Sequence, residues 1–255
     1  MSQLVLSDRI GAVAVLTLNR RERHNSLVPA FLEELLAAVG ALQAEEGVRA
    51  LVLQANGRSF STGGDVAGFH KWMDDLEGYA DSVVGLLNQV ILALVELPVP
   101  VVTAVHSIVT GGSLGLVLGA DLVLVAPQAS FTPYYSVVGF SPDGGWTALL
   151  PAIIGSKRAA EILMHNRTIT AEEAVAWGLA SRIVPAERIR EEALNAAQEI
   201  AAKKPGSIAH TKRLLGMAFG EVAAGLEAER THFVQQIATQ EARQGILTFV
   251  EGRLK

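Results

Sequence analysis

The sequence predicts an α/β fold, because strand-like and helix-like segments alternate along its first half and helical patterns dominate after about Gly144. The chain has 255 residues, half of them hydrophobic, which is enough for one large domain or for one domain with an appendage. We expect a core at residues 1–195 and a helical region at 196–255 that packs on the core or on another subunit.

The first predicted element is the hairpin "LVLSDRIGAVAVLTLN", in which hydrophobic residues alternate on both sides of a turn. The segment "SLVPAFLEELLAAVGALQAEE" has helical spacing, with Ser26 as a candidate N-cap. "VRALVLQAN" is a short apolar strand. The loop "GRSFSTGGD" follows it, and Asp65 is placed to cap the next helix.

The middle of the chain continues with a long helix over about residues 79–97 and the strand "VPVVTAVH". A second glycine loop then opens a short helix, and "DLVLVAP" and "ASFTP" are two further strands. After Gly144 the pattern is helical, with one strand-like break at "ASRIVP".

Composition limits the partners that we expect. The net charge is −5 and no basic face is evident, which argues against nucleic acid. The chain has no cysteine, which excludes disulfides, thiolate nucleophiles and cysteine-ligated metals, and no metal site is predicted. The N-terminus lacks the layout of a signal peptide, so a cytoplasmic location is expected.

Two stretches, 97–120 and 122–142, contain no Asp, Glu, Lys or Arg and are each long enough to span a bilayer. Prolines, glycines and polar residues interrupt both stretches. We therefore interpret them as a buried core and expect no membrane association.

Two loops, "STGGD" and "VTGGSLG", share one design: each ends a strand with glycines and opens a helix. Backbone N–H groups at such places are unpaired. Two such loops side by side would offer two hydrogen-bond donors to an oxygen that develops negative charge. Alternatively, the glycines only serve tight turns.

The second loop also contains "GGSLG", the G-x-S-x-G pattern that presents a nucleophilic serine in α/β-hydrolases. Ser113 would then need a later acid and histidine. His165, His210 and His232 follow it, but the first two lie in helix-like patterns that favour solvated or packed histidines.

A third loop, "GFSPDGGW", carries Asp143 in a segment that is otherwise free of charge. An acid in such apolar surroundings is either a cap for the following helix or a working base with a raised pKa.

Taken together, segments along nearly the whole chain resemble the enoyl-CoA hydratase/isomerase family, also called the crotonase superfamily. "NRRERHNSL" is similar to N-R-P-x-x-x-N-A-L and "RSFSTGGDV" to A-F-x-A-G-x-D-[LI]. "VHSIVTGGSLGLVLGADLVLVAPQASF" is similar to N-G-x-x-x-G-G-G-x-E-L-x-x-x-C-D followed by strands. "VGFSPDGGW" resembles L-G-x-x-P-x-x-G, and "QEARQGILTFVEGR" resembles the C-terminal E-D-x-x-E-G-x-x-A-F-x-E-K-R.

The resemblance implies a spiral of ββα units at 1–195 that binds acyl-CoA, and a helical C-terminal region at 196–255 for oligomerisation and site closure. It implies a homotrimer or a dimer of trimers. The substrate would be an acyl-CoA thioester, so coenzyme A enters as part of the substrate and no separate cofactor is expected.

The resemblance also implies functional residues. The two backbone N–H groups of the family's oxyanion hole fall on Gly64 and Gly112, which makes Ser113 a bystander. The positions implied for substrate or CoA binding, with the backbone of Thr62 for the adenine, are Arg23, His24, Asn25, Thr62, Gly63, Asp65, Gly111 and Tyr135.

The positions at which this sequence departs from the family pattern indicate which of the family's reactions to expect. The two glutamates of family hydratases fall on Gly115 and Tyr135, and neither is acidic. Family isomerases place one acid just after the proline of the third loop, and that position is Asp143. The run "PDGG" is most similar to the double-bond and 1,2-epoxyphenylacetyl-CoA isomerases, although a dehalogenase branch also carries an Asp there, as a nucleophile.

We therefore predict an enoyl-CoA isomerase in which Asp143 moves a proton through an enolate held by Gly64 and Gly112. The alternatives are an enoyl-CoA hydratase, a serine hydrolase that uses Ser113, and a catalytically impaired acyl-CoA-binding protein.

Overall fold

The computed structural model describes residues 3–216 and 222–252. Strands and helices alternate through the first two thirds of the chain, which confirms the α/β class. The strands are β1 (Val5–Ile10), β2 (Val13–Leu18), β3 (Ala50–Ala55), β4 (Val101–Val105), β5 (Val109–Thr110), β6 (Leu122–Val125), β7 (Ser130–Thr132), β8 (Ile169–Thr170) and β9 (Arg182–Ile183). The helices of the first half are α1 (Pro29–Ala44), α2 (Val66–Lys71), α3 (Leu76–Glu96), α4 (Gly115–Leu118) and α5 (Tyr135–Val138). The later helices are α6 (Leu150–Ile154), α7 (Ser156–His165), α8 (Ala171–Ala176), α9 (Ile189–Ala201), α10 (Pro205–Gly216), α11 (Val222–Ile237) and α12 (Gln240–Val250).

The main sheet has six strands in the order β1-β2-β3-β4-β6-β9. The hairpin β1–β2 is antiparallel, and every later pair is parallel, with Val15 opposite Val52 and Thr103 opposite Val123. Because parallel strands need crossover connections, the helices and loops between them gather on the faces and at the ends of the sheet.

Helices cover both faces of the main sheet, as expected for a parallel sheet. On one face, Leu16, Leu53 and Val105 belong to a large core shared with α1 and α3. On the other face, Val13 and Val52 pack with α9. All six residues of β2 are buried, which explains why its sequence is apolar almost throughout.

A second sheet of three strands, β5-β7-β8, positions the candidate site. Strand β5 runs directly into a helical turn at Gly111–Leu114, and β7 leads to α5. Strand β8 lies where the sequence predicts only helix, because a strand of two residues has no alternation to detect.

The predicted cap of the first helix is wrong. Helix α1 begins at Pro29 with Val28 as its N-cap, and Ser26 instead accepts a hydrogen bond from the Arg20 side chain. Proline at the first helical position fixes the start, since its ring presets the helical φ and it has no N–H to leave unpaired. The predicted cap of α2 is confirmed, because Asp65 accepts from the N–H of Gly68.

The two charge-free stretches divide into short strands and helices. Within the described residues, one helical segment at 73–96 is long and apolar enough to cross a membrane by length and composition alone. It contains α3, whose buried face packs against α1 and α11. The absence of membrane association and the cytoplasmic location stay predictions.

Within the described residues, the C-terminal region consists of helices and the short turns between them. The predicted boundary at residue 195 falls inside α9, which packs on β2, β3 and β4. Arg253, the last residue of the C-terminal motif, lies outside the described residues. The separate functions assigned to 1–195 and 196–255 stay predictions.

Candidate functional site

The two glycine loops lie side by side. The N–H groups of Phe60 and Ser61 both donate to the carbonyl of Ile108, at 3.1 and 3.2 Å, and the N–H of Thr110 donates to Ser61 at 3.1 Å. A side chain at Gly63 would place its Cβ 2.5 Å from the Thr110 carbonyl oxygen, at a φ of +70°. Glycine is therefore required at this position, because the two backbones are in contact.

Each loop has one backbone N–H group without a hydrogen-bond acceptor among the described residues. Leu27 donates to the carbonyl of Gly63 at 2.7 Å and accepts from Asp65 at 3.0 Å. The N–H of Gly64, between them, has no acceptor among the described residues. Gly112 is the second residue of its helical turn. The first N–H groups of a helix have no acceptor within the helix, so the N–H of Gly112 is unpaired there.

Both donor glycines line a cavity of about 750 Å³. Side chains from α2, α3, α5 and α11 form an apolar wall opposite them, and the rings of Phe69 and Phe140 lie 5.6 Å apart. The apolar residues of this wall are Phe69, Val84, Leu87, Val138, Phe140 and Phe233. The cavity can therefore hold an apolar chain beside two backbone donors.

Asp143 lies beside one of the donors. A Cβ added to Gly112 would lie 2.8 Å from Oδ2 and 2.9 Å from Oδ1 of Asp143. The Asp143 side chain lines the cavity, although the residue is only 6% exposed. No ion pair among the described residues includes it, so the acid faces the cavity without a cation.

Burial raises the pKa of Asp143 to about 7; the hydrogen bond from Tyr135 opposes this shift, and the charge of Glu229 adds to it. The prediction of a raised pKa agrees with this result. The alternative interpretation, an N-cap, is not realised, because the Asp143 carboxylate accepts from a tyrosine hydroxyl instead.

Tyr135 is the hydrogen-bond partner of the acid. Its hydroxyl donates its single proton to Oδ1 of Asp143 at 2.6 Å, and the Asp143 carbonyl oxygen lies 3.0 Å away as a weaker second acceptor. Burial and the nearby Asp143 raise the pKa of Tyr135 well above its usual range, so the phenol remains a donor. Because Tyr135 takes Oδ1, Oδ2 of Asp143 is the oxygen that can meet a molecule bound in the cavity.

A second acid at the cavity has a different environment. Asp65 accepts from Arg20 at 2.8 Å and lies 3.6 Å from Arg23. Burial alone would raise the pKa of Asp65, but the hydrogen bond and charge of Arg20, with the charge of Arg23, hold it below its ordinary value. Asp65 is therefore an ionised structural acid.

The residues implied for CoA binding fall into two groups. Arg23, His24, Thr62, Asp65, Gly111 and Tyr135 line the cavity. Asn25 does not: it is fully buried, and its amide donates to the carbonyls of Asn56, Ser59 and Phe60. The inclusion of Asn25 as a binding residue is corrected, because its side chain holds the loop together. Gly63 likewise contributes close backbone packing and not a cavity wall.

Ser113 is not placed as a nucleophile. The residue is fully buried, and its hydroxyl donates to the carbonyls of Thr110 and Ser61, at 2.7 and 3.1 Å. A nucleophilic serine needs a base within hydrogen-bond reach, and no histidine accepts from Ser113 among the described residues. The hydrolase alternative is contradicted.

The position of Gly115 has no room for a side chain. A Cβ there would lie 2.3 Å from Cδ1 of Ile91 and 2.9 Å from the Gly144 carbonyl oxygen. Even a methyl group would require the core to shift, so a glutamate would not fit at this position without rearrangement of its neighbours.

Sequence reasoning missed two charged residues of the site. Arg20 joins Asp65 to the carbonyl of Ser26, and Glu229 on α11 binds the loop that follows Asp143. One signal for Glu229 exists in the sequence: it shares a helical face with Leu226 and Phe233, at spacings of three and four residues. A charge on an apolar face indicates a buried partner.

Comparisons with known proteins agree with this geometry. Residues 8–255 match the family model described as "Enoyl-CoA hydratase/isomerase". A putative enoyl-CoA hydratase of Thermus thermophilus is 35% identical over 250 residues, covering 95% of this chain and 96% of the relative. The 1,2-epoxyphenylacetyl-CoA isomerase of Escherichia coli is 30% identical over 259 residues, covering 99% and 97%.

The fold agrees as well. The crystal structure of an enoyl-CoA hydratase from Bacillus halodurans superimposes with a TM-score of 0.89 at 26% identity, covering 96% of this chain and 99% of that one. The crotonase-like fold implied by the sequence motifs is thereby confirmed. The chain belongs to the enoyl-CoA hydratase/isomerase family, whose enzymes act on acyl-CoA thioesters.

Proposed function

We propose that the protein is an enoyl-CoA isomerase that moves a β,γ double bond into conjugation with the thioester. The observation that carries the proposal is the placement of Asp143: a buried acid, without a cation, beside the donor glycine Gly112. The other buried acid that lines the cavity, Asp65, is paired with Arg20.

The first step is removal of a proton from the α-carbon. Oδ2 of Asp143 takes this proton, and the electron pair moves into the thioester carbonyl to give an enolate. The N–H groups of Gly64 and Gly112 bind the enolate oxygen more strongly than the neutral carbonyl, and this difference lowers the barrier.

The second step returns the same proton. Asp143, now a carboxylic acid, protonates the γ-carbon, and the electrons of the dienolate move to form the α,β double bond. A base with a pKa near 7 suits both directions, since it accepts and gives up a proton at neutral pH. Because the Tyr135 hydroxyl donates to Oδ1, Oδ2 is the oxygen that takes the proton in the first step and returns it in the second.

The pair of acids that a hydratase uses to add water is missing at Gly115 and Tyr135. A hydratase needs a pair of acids to activate water and to protonate carbon. Of the two positions that would hold them, Gly115 is closed by Ile91, and Tyr135 is a phenol that donates to Asp143. One base suffices for isomerisation because no water is added.

The CoA portion is proposed to lie along the loop of Arg23 and His24. The N–H of Thr62 already donates to the carbonyl of His24 at 3.1 Å. The Thr62 carbonyl remains as an acceptor for the adenine amino group. Arg23, whose side chain is 57% exposed, is placed to meet a phosphate.

We also propose a homotrimer or a dimer of trimers. Leu214 and Leu215 near the end of α10 are 68% and 66% exposed, and α12 exposes Phe249. Adjacent exposed apolar side chains favour burial against another subunit. Sedimentation at micromolar concentration tests this, and a monomer would contradict it.

The reaction is tested with a 3-enoyl-CoA deuterated at the α-carbon and incubated in ordinary water. We expect the conjugated 2-enoyl thioester to appear by its ultraviolet absorbance, with part of the deuterium found at the γ-carbon by mass spectrometry. A single shielded base predicts this transfer, because the proton that it removes is the proton that it returns.

The same product mixture is examined for the 3-hydroxyacyl thioester, and a 2-enoyl-CoA is supplied in parallel. Brisk hydration of the 2-enoyl thioester without isomerisation of the 3-enoyl thioester would overturn the proposal and favour a hydratase.

A further inference from the structure

Glu229 is a buried acid on α11, in the C-terminal region, and the isomerisation steps proposed above give it no part. The residue is only 4% exposed. The described residues place no cation within ion-pair distance of it. A buried carboxylate is costly unless hydrogen bonds replace the water that it loses, so its contacts indicate what keeps it there.

Every hydrogen bond that the Glu229 carboxylate makes within the described parts of the chain goes to one short segment, residues 145–148. Oε2 accepts from the N–H of Gly145 at 2.8 Å. Oε1 accepts from the N–H groups of Thr147 and Ala148, at 2.7 and 2.9 Å, and from the Thr147 hydroxyl at 2.6 Å. Four donors converge on one carboxylate, which fixes the backbone of this segment.

The segment 145–148 directly follows Asp143 and Gly144 in the chain, and this part of the chain packs against the second glycine loop. Gly144 packs so closely on Gly112 that an added Cβ would lie 2.2 Å from the Gly112 carbonyl oxygen. The indole of Trp146 donates to the carbonyl of Gly111 at 2.8 Å. Asp143 therefore lies between the segment held by Glu229 and the loop that offers the donor.

We propose that Glu229 is a positioning residue for the isomerisation: by clamping residues 145–148 it holds the Asp143 carboxylate against the donor Gly112. The inference rests on the proposed function of Asp143. It gives the C-terminal region a part in catalysis beyond closing the cavity, because α11 sets the position of a base that belongs to the core.

The negative charge of Glu229 also acts on the base. The titratable groups that face Asp143 are Tyr135, from α5, and Glu229, from α11. Tyr135 stabilises the carboxylate through its hydrogen bond, whereas Glu229 disfavours it by repulsion. Removal of the charge should therefore lower the pKa of Asp143, an effect that a purely structural residue would not produce.

Two variants separate position from charge. Glu229→Ala removes all four contacts. Glu229→Gln keeps the volume and one acceptor oxygen, which can retain the contacts with Thr147 and Ala148. It loses the charge and the hydrogen bond from Gly145, because its amide nitrogen is a donor. The matched control is Asn88→Ala: the Asn88 amide anchors the same helix through the carbonyl of Leu226 at 2.9 Å and makes no hydrogen bond to residues 143–148 within the described chain.

Two readouts are measured on each protein: kcat and KM for isomerisation against pH, and the titration of Asp143 by carboxyl ¹³C NMR, assigned with Asp143→Asn. For Glu229→Ala we expect kcat to fall ~10–10²-fold with KM nearly unchanged, as for a misplaced catalytic group. For Glu229→Gln we expect the acid limb of kcat and the Asp143 titration to move together to lower pH. Asn88→Ala should change neither.

The inference is overturned if Glu229→Gln titrates and turns over like the wild type, or if Asn88→Ala reproduces the changes of the Glu229 variants. If Glu229→Ala fails to fold, Glu229→Gln and Thr147→Val, which removes one clamp contact from the loop side, decide the question. A wild type that does not isomerise would refute the proposed function and, with it, a part for Glu229 in isomerisation. The NMR titration would then still show whether Glu229 acts on Asp143, so the two failures are distinguishable.

Discussion

Two buried aspartates at one cavity, Asp65 and Asp143, have opposite environments. They are almost equally exposed, at 7% and 6%. Asp65 is paired with Arg20, and the pKa of Asp65 is lowered although burial acts to raise it. Asp143 is paired with an uncharged phenol and lies near a second acid, and the pKa of Asp143 is raised to about 7.

The difference teaches that burial alone does not assign a role to an acid. Burial penalises the charged form of both groups, and the partner decides whether that penalty is offset. A guanidinium turns Asp65 into a fixed part of the first loop, and this fixed loop carries Gly64. Asp143 has no cation beside it among the described residues, and its raised pKa suits the proton transfer that we propose for it.

The largest effect should come from removal of the base. Asp143→Asn keeps the size of the side chain and its acceptor oxygen for Tyr135 but cannot take a proton. We expect kcat for isomerisation to fall ~10²–10⁴-fold, while CoA-thioester binding measured by calorimetry stays close to that of the wild type. Equal rates of isomerisation in Asp143→Asn and wild type would remove the basis of the comparison.

The matched substitution at the other acid should affect stability more than chemistry. Asp65→Asn leaves the Arg20 guanidinium, only 18% exposed, without its charged partner. We expect a loss of about 3 kcal/mol in the free energy of unfolding, because one member of a largely buried pair is left uncompensated.

Thermal unfolding followed by circular dichroism measures the loss in Asp65→Asn, with kcat determined well below the transition. A drop in kcat as large as that of Asp143→Asn, in a protein of wild-type stability, would mean that the two acids share the chemistry.

The pH dependence of stability should differ in sign between the two acids. The folded-state pKa of Asp143 is above its ordinary value, so its contribution to stability is present at low pH and lost as pH rises through about 7. Asp143→Asn does not titrate, and from pH 5 to pH 8 it should gain on the order of 2 kcal/mol over the wild type.

For Asp65 the folded-state pKa is lowered, so its contribution is present above pH 3.8 and is lost only as pH falls below that value. The destabilisation caused by Asp65→Asn should therefore be constant between pH 5 and pH 8. Denaturant unfolding at the two pH values checks both statements. A constant difference for Asp143→Asn would show that Asp143 is ionised in this range, like Asp65.

The smallest effect is expected at Ser113, a buried polar residue of the same loops that carries no charge. Ser113→Ala removes the one hydroxyl proton that the carbonyls of Thr110 and Ser61 share, and should cost about 1 kcal/mol of stability. We expect kcat to stay within about twofold of the wild type, since the donors are backbone groups. Stoichiometric labelling of Ser113 by a fluorophosphonate would contradict this.

The sequence by itself determined the fold class and most of the site. The alternation of strands and helices, the glycines that end two strands, and the single acid in an apolar loop are local patterns, and the elements they predict agree with the structure. The isolated charge of Asp143 is visible in its apolar loop, but the roles of Gly112 and Asp143 were implied by the resemblance to the family.

Local pattern failed where a residue's role depends on a distant partner. Ser26 has the chemistry of a cap, but Arg20 engages its hydroxyl and Pro29 starts the helix. Asn25 lies in a segment that resembles a binding motif, yet its amide nitrogen donates to three backbone carbonyls that are more than thirty residues away along the chain.

Only the tertiary structure brought the partners of Asp143 together. Tyr135 approaches it from eight residues earlier, and Glu229 clamps the following segment from more than eighty residues later. A pKa depends on burial and on charges in space, neither of which sequence spacing records. The sequence thus pointed to Asp143 as the proposed base, whereas the packing of α5 and α11 around this residue sets the direction of its pKa shift and its position.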